Sequence, residues 1–377
     1  MRILHLCSYY IGNKLYKNLI KQISLNGVKQ EVFIPIKSEK YIGKNQLSSE
    51  FNTINYYYRD ILKKWDRLLF YNKIMKQMKE VNVSISDIED VQFIHAHTLF
   101  SDGGTAYKLH QKYGINYMVN VRNTDLNFFY KYFIHLRPLM YKILFNASVI
   151  VFISHAYKQK MLSLLPKDIV SQIESKCLVI PNGIEDFWHE NSLVPKKLNN
   201  INKISLLFIG LINKNKNLKT VIYACAKLRD QGLNVNLDVI GNGPLEEEIK
   251  ILCRDLDLKN VVFHGYLSDE KTISGIMDKS DIFVMPSFNE TFGLVYIEAM
   301  SRGIPVIYSR GQAIDGFFND GEVGYAVDST NNDMIIKAIK KIIANYNQMS
   351  IKSISNSKKF NWTEIGKQYI NLYKNFK

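Results

Sequence analysis

Two acids, Glu290 and Glu298, stand eight residues apart in the stretch SFNETFGLVYIEAMSRGIPVI, residues 287 to 307. On a straight helix that spacing rotates the side chains by roughly 80° and separates them by about 12 Å along the axis. A retaining two-carboxylate mechanism needs acids about 5 Å apart, so this pair is no such dyad. It suits two groups that grip opposite ends of one elongated ligand. A buried-type strand, IFVMPS (282–287), precedes them, and Phe292 to Arg302 reads as a helix. Thr291 is the expected N-cap, with Gly303 as C′ and Pro305 beyond it. The N–H groups of Phe292, Gly293 and Leu294 would then face outward at the positive end of the helix dipole, a site suited to phosphate. The plainer alternative is that both acids simply solvate a strand–helix unit.

Other stretches carry chemistry in the same position, just after a strand. LLFIGLINKNKN (206–217) ends its strand at Gly210 and offers Lys214 and Lys216 before a helix. VIGNGPLEEE (239–248) has Gly241 and Gly243 but Glu246 where a dinucleotide fingerprint needs its third glycine, so a tight turn explains it equally. FIHAHTLFSDGG (93–104) places His95 and His97 on one face of a strand. They would suit a metal, but no third ligand is evident in the sequence, and a structural role is the alternative. The strand YMVNVRNTDL ends in Arg122, Asn123, Thr124 and Asp125, and SYYIGNK (8–14) places Gly12 after the first strand.

The elements that must position these residues alternate along the whole chain. Strand-like runs fall at 2–8, 30–36, 93–98, 117–122, 148–154 and 177–181, then at 205–210, 235–241, 261–265, 282–286, 304–308 and 324–327. Helical patterns between them imply parallel, doubly wound sheets. The rhythm restarts after the polar stretch HENSLVPKKLNNINK (189–203), so the expected domains are 1–190 and 191–360. A last helix, WTEIGKQYINLYKNF (362–376), carries Ile365, Tyr369, Leu372, Tyr373 and Phe376 on one face and must bury them. In open α/β sheets ligands bind beyond the carboxyl ends of the strands, and two such edges can face one another across a cleft.

The 377 residues, 46% apolar and 22% charged, fit a soluble two-domain protein. No signal or membrane-spanning pattern is evident, which predicts a cytoplasmic protein. Four scattered cysteines, Cys7, Cys177, Cys225 and Cys253, argue against a zinc site or disulfide framework. The net charge is +14, and residues 1–190 hold 25 Lys+Arg against 16 Asp+Glu. The densest basic stretch, 56–81, has Ile61, Leu62, Trp65, Leu68, Leu69, Tyr71 and Met75 near helical spacing. It reads as a basic amphipathic helix on an anionic membrane surface, or as a domain helix with its apolar stripe in the core. No nucleic-acid recognition module is present.

The segment SDIFVMPSFNETFGLVYIEAMSRGIPVI resembles the retaining glycosyltransferases of family 4, whose E-x7-E motif it matches at Glu290 and Glu298. The likeness runs from VIGNGPLEEEIKILCRDLDLKNVVFHGYLSDE to NDGEVGYAVD, and IPNG (180–183) matches the family's approach to the linker. The resemblance implies a GT-B fold, two facing Rossmann-like domains, with residues 361–377 crossing back onto the first. It implies that Glu298 binds the donor's ribose, and that Glu290 with Thr291–Leu294 binds its sugar and diphosphate. Lys216 matches a diphosphate-binding lysine, whereas Leu211 stands where similar enzymes carry an arginine, making Lys214 the candidate substitute. Gly241 and Gly243 would border the nucleotide base. Related enzymes commonly have His-Gly at Arg122 and Asn123, with an acid at Asp125. Arg122 can hydrogen-bond donor oxygens or stabilise negative charge, but it is no general base. Gly12, Asp125 and His97 fall on the acceptor side.

The expected activity is metal-independent, retaining transfer from a UDP- or GDP-sugar to a glycan or polyprenyl-linked acceptor, as in bacterial surface polysaccharide synthesis. A GT-B nucleotide-sugar epimerase and a non-catalytic sugar-nucleotide-binding partner are the rival readings. The incomplete glycine fingerprint speaks against an NAD-dependent dehydrogenase.

Overall fold

The computed structural model describes residues 1–190 and 194–375. Asn191–Leu193, inside the polar stretch, and Phe376, the last member of the C-terminal stripe, lie outside them. The chain forms two compact units. Unit 1 comprises Met1–Ile153, Lys158–Asn182 and Trp362–Lys377; unit 2 comprises Ser154–Tyr157 and Gly183–Asn361. The long segment of unit 2 begins at Gly183, directly after Asn182.

Unit 1 holds a parallel sheet of β1 (Arg2–Leu6), β2 (Lys29–Ile36), β3 (Ile54–Asp60), β4 (Phe93–Ala96), β5 (Tyr117–Val121), β6 (Val149–Phe152) and β7 (Cys177–Val179). Their order is β3-β2-β1-β4-β5-β6-β7, so the winding reverses between β1 and β4. On one face, Ile3, Phe93, Met118, Val149 and Val151 form a core with Leu19 and Ile23 of the helix Leu15–Leu25. The C-terminal helix Trp362–Asn375 completes that core with Trp362, Ile365, Tyr369 and Tyr373, and Leu372 packs at its margin.

The stretch 56–81 corrects the expectation of one long basic helix. Its first residues form the edge strand β3, Lys64–Arg67 make a single 3-10 turn, and the helix is Phe70–Ser84. That helix buries Phe70, Ile74, Gln77 and Val81. Trp65, Leu68, Leu69, Tyr71 and Met75, the supposed core stripe, are instead exposed.

Unit 2 holds β8 (Lys203–Ile209), β9 (Asn234–Ile240), β10 (Val261–Gly265), β11 (Ile282–Val284), β12 (Val306–Ser309) and β13 (Gly324–Val327). All pairs are parallel, in the order β10-β9-β8-β11-β12-β13, and the winding reverses between β8 and β11. In such a sheet the reversal opens a crevice beyond the carboxyl ends of the two central strands. The loops that follow β8 and β11 carry Lys216 and Glu290. No helix among the described residues is long and apolar enough to cross a membrane.

Candidate functional site

The loop after β8 is zipped onto the loop after β11. Asn215 donates through Nδ2 to the Asn289 carbonyl (2.9 Å), and the Asn289 N–H donates to Asn215 Oδ1 (3.0 Å). Asn217 Nδ2 reaches the Pro286 carbonyl (3.0 Å), and the Phe288 N–H meets the Asn215 carbonyl (2.8 Å). These bonds hold Lys216 and Glu290 together in a direct salt bridge, both side chains partly buried. The stem of Lys216 lies across Gly210, where a β-carbon would sit 3.6 Å from its Cδ and 3.3 Å from Met285 Sδ. Glu290 is held in turn by Gln312, whose Oε1 accepts the Glu290 N–H (3.1 Å), while Glu290 Oε1 accepts the Thr291 N–H (3.1 Å).

The helix begins two residues later than its sequence suggests. It spans Leu294–Ser301, and its N-cap is Gly293 rather than Thr291. Gly293 has φ +74°, and a β-carbon there would lie 2.6 Å from the Tyr296 ring. No other residue meets both demands. The outward N–H groups are therefore those of the first turn from Leu294. Phe292 is buried against Phe317 and Phe360, so its side chain is a core anchor and only its backbone remains available to a ligand. Thr291 is fixed by its carbonyl, which accepts from Ser154 Oγ (2.7 Å).

Glu298 lies mid-helix and is partly buried. Burial, aided by the negative charges of Glu270 and Glu185, pushes its carboxyl up to about 7. Leu211 is half exposed and brings no cation. Lys214 is exposed and lines a different cavity, of 680 Å³, among Ile212, Asn217, Thr220, Tyr223 and Glu248. Neither Lys216 nor Glu290 lines that cavity.

Gly241 and Gly243 have a packing reason. A β-carbon at Gly241 (φ +135°) would lie 2.0 Å from the Gly210 carbonyl oxygen, and one at Gly243 would lie 2.3 Å from that of Ile212. The two loops touch backbone to backbone, joined by Gly210 N–H to Ile240 O (2.9 Å) and Ile212 N–H to Asn242 O (2.8 Å).

In unit 1, Arg122 follows β5. Its guanidinium lies over Tyr16 at 5.7 Å and meets Asn182 Oδ1 at 3.4 Å. Asp125 is engaged as a loop organiser: its carboxylate accepts the N–H groups of Leu99 (3.1 Å), Phe100 (3.2 Å) and Arg122 (2.8 Å). Burial nevertheless pushes it up to about 6. Gly12 is the exposed last residue of a 3-10 turn, and a β-carbon there would meet nothing within 4 Å.

His97 proves to be part of a triad that sequence spacing did not reveal. His5, on neighbouring β1, pairs in register with His95 and supplies the third imidazole; ring nitrogens of all three lie within 4.8 Å of one another. His5 Nδ1 and His97 Nε2 share a hydrogen bond (3.1 Å), and His95 Nδ1 meets the Tyr373 hydroxyl (2.7 Å). All three rings are fully buried, and burial holds them neutral, His5 lowered to about 3. The charge of Arg122 disfavours a cation there further. This is a polar seam joining the C-terminal helix to the sheet. Gln312 and Asn215 were likewise missed, because a loop residue's partner 22 or 74 positions away leaves no spacing signal.

Two parallel, doubly wound Rossmann-like units, the second with a cation–carboxylate pair and a helix N-terminus at its switch point, define the GT-B fold. Residues 191–360 match the family described as glycosyl transferases group 1. An uncharacterised glycosyltransferase of Methanocaldococcus jannaschii is 25% identical over 253 residues, 63% of each chain. The O-antigen chain mannosyltransferase C of Escherichia coli is 25% identical over 245 residues, again 63% of each. The chain thus spans 63% of the length of these two relatives. Anabaena HepE, solved in complex with UDP, shares the fold over 100% of both chains at a TM-score of 0.70 and 14% identity.

Proposed function

We propose that the protein is a retaining, metal-independent glycosyltransferase that moves a sugar from a UDP- or GDP-sugar to a hydroxyl of a glycan or lipid-linked glycan in surface polysaccharide synthesis. The observation that carries this reading is the Lys216–Glu290 pair beside the bare N-terminus at Leu294, at the switch point of a group 1 unit. UDP in HepE and the O-antigen role of the Escherichia coli relative point the same way.

The chemistry follows from the pair. An arriving diphosphate competes for Lys216 and for the N–H groups of the first helical turn. Lys216 then neutralises charge on the leaving diphosphate, and Glu290 is released as a hydrogen-bond acceptor for the donor sugar. Glu298, about one turn into the helix, accepts from the ribose hydroxyls. Arg122 acts on the acceptor side as a donor to negatively charged oxygens and transfers no proton. Membrane partnership, at an anionic surface, belongs to the same reading.

A thermal-shift panel of UDP-, GDP- and dTDP-sugars tests the donor site, because a ligand that binds the native state raises its apparent stability. One nucleotide class is expected to raise the midpoint, equally with and without EDTA. A flat panel refutes the donor site, and a shift abolished by EDTA refutes metal independence.

A further inference from the structure

Unit 1 carries a surface assembled from two segments distant in sequence. Trp65, Leu68, Leu69, Tyr71 and Met75 are all more than half exposed, and so are Tyr132 and Ile134. The segments adjoin: the Arg67 guanidinium lies over Phe128 at 5.6 Å, Phe70 stacks edge-on to Phe129 at 5.4 Å, and Phe128 meets Tyr132 at 6.0 Å. Grouped apolar exposure of this kind marks an interaction site more often than an ordinary surface.

Its charge is one-sided. Lys63, Lys64, Arg67 and Lys131 are exposed among the apolar side chains. Asp66, the single acid of residues 61–79, is turned inward; it pairs with Lys76 at 2.9 Å and accepts the Lys63 N–H at 2.7 Å. Residues 128–137 contain no acid. Protein–protein interfaces are depleted of lysine at their centres, whereas bilayer-surface segments combine aromatic and aliphatic side chains with cations.

We propose that this two-segment surface seats on an anionic bilayer, with Trp65, Leu68, Leu69, Tyr132 and Ile134 entering the headgroup boundary and the four cations meeting lipid phosphates. The inference rests on the transferase reading for its consequence, which is that the acceptor is lipid-borne. The turn Asp125–Tyr130 runs from the carboxyl end of β5, where Arg122 stands, directly to Phe128. A lipid-anchored glycan lying in the same bilayer would meet the acceptor-side residues without leaving it.

The protein supplies its own reporter. Of its three tryptophans, Trp188 and Trp362 are buried and Trp65 is 68% exposed. The full chain is mixed with phosphatidylcholine vesicles, with and without phosphatidylglycerol, and followed by flotation and tryptophan emission. Binding is expected to be at least about tenfold tighter to the anionic vesicles, each cation contributing roughly fivefold, with a blue shift of the emission. The variant Leu68→Ser/Leu69→Ser/Met75→Ser keeps Trp65 and the cations and should lose both signals while keeping the parent's melting midpoint. Equal partitioning to neutral vesicles, unmoved emission, or full binding by the variant overturns the proposal. So does light scattering that shows a dimer which the variant dissolves, since a second copy would then be the occupant. Nucleotide-sugar binding without vesicles is read separately. Its failure in the parent protein refutes the transferase reading alone, and vesicle binding would still support the bilayer seat.

Discussion

Replacing Glu298 by glutamine tests whether an ionised carboxylate in mid-helix holds the nucleotide. Burial and the charges of Glu270 and Glu185 raise this group from 4.5 to about 7. If only the ionised form accepts strongly from the ribose, the competent fraction climbs from about one-eleventh at pH 6 to about ten-elevenths at pH 8. Affinity for a nucleotide sugar should therefore rise about tenfold across that interval. A nucleotide sugar is the right probe, because its diphosphate has no proton to lose there. Isothermal titration at pH 6, 7 and 8 should give that slope for the parent, with proton release on binding at pH 6. Glu298→Gln should bind weakly and without slope. The apo protein has the opposite trend. A carboxyl whose folded value is raised binds its proton more tightly when native, so its contribution is fully favourable below 4.5 and is lost as pH rises to about 7. Glu298→Gln should then stabilise the apo protein at pH 8 and change little at pH 4.5. A flat parent profile, or an equal slope in the variant, would refute the assignment.

Other substitutions separate the remaining roles. Glu290→Gln should lower kcat far more than it weakens nucleotide-sugar binding, whereas Lys216→Met should weaken binding of both nucleotide and nucleotide sugar; steady-state kinetics and titration calorimetry distinguish them. Gly241→Ala drives a β-carbon into the Gly210 carbonyl at a backbone angle only glycine adopts, and should cost about 3 kcal/mol in denaturant unfolding. Tyr373→Phe leaves the buried His95 Nδ1 without its hydroxyl partner and should cost about 1–3 kcal/mol by the same measurement, with nucleotide binding unchanged.

Twelve of the strands were legible because each is a short run rich in apolar residues and bounded by turn residues, and the central ones follow the pattern of a strand buried on both faces. β3 was not. It lies at the sheet edge, its Tyr56–Tyr58 run is only partly buried, and its charged end merges with the basic residues that follow. The loops that carry Glu290 and Lys216 could be placed beyond the ends of strands from the sequence, because a doubly wound sheet sends such loops to one edge. The salt bridge between Lys216 and Glu290 could not, since it depends on the side-chain zipper of Asn215 and Asn289. The start of the helix at Leu294 rather than Phe292 was hidden for a related reason. Thr291 is a good N-cap by type, but the left-handed turn at Gly293 decides where helical geometry begins.

Unit 1 is closed by Trp362, Ile365, Tyr369 and Tyr373, residues that a ribosome delivers after all of unit 2. During synthesis the first sheet emerges early yet waits with one flank of its core uncovered, while Gly183–Asn361 can finish folding in the meantime. The order of completion is therefore the reverse of the order of appearance. A chain that ended at Asn361 would keep all of unit 2 but leave unit 1 unfinished, showing Ile3, Phe93 and Met118 to chaperones and proteases.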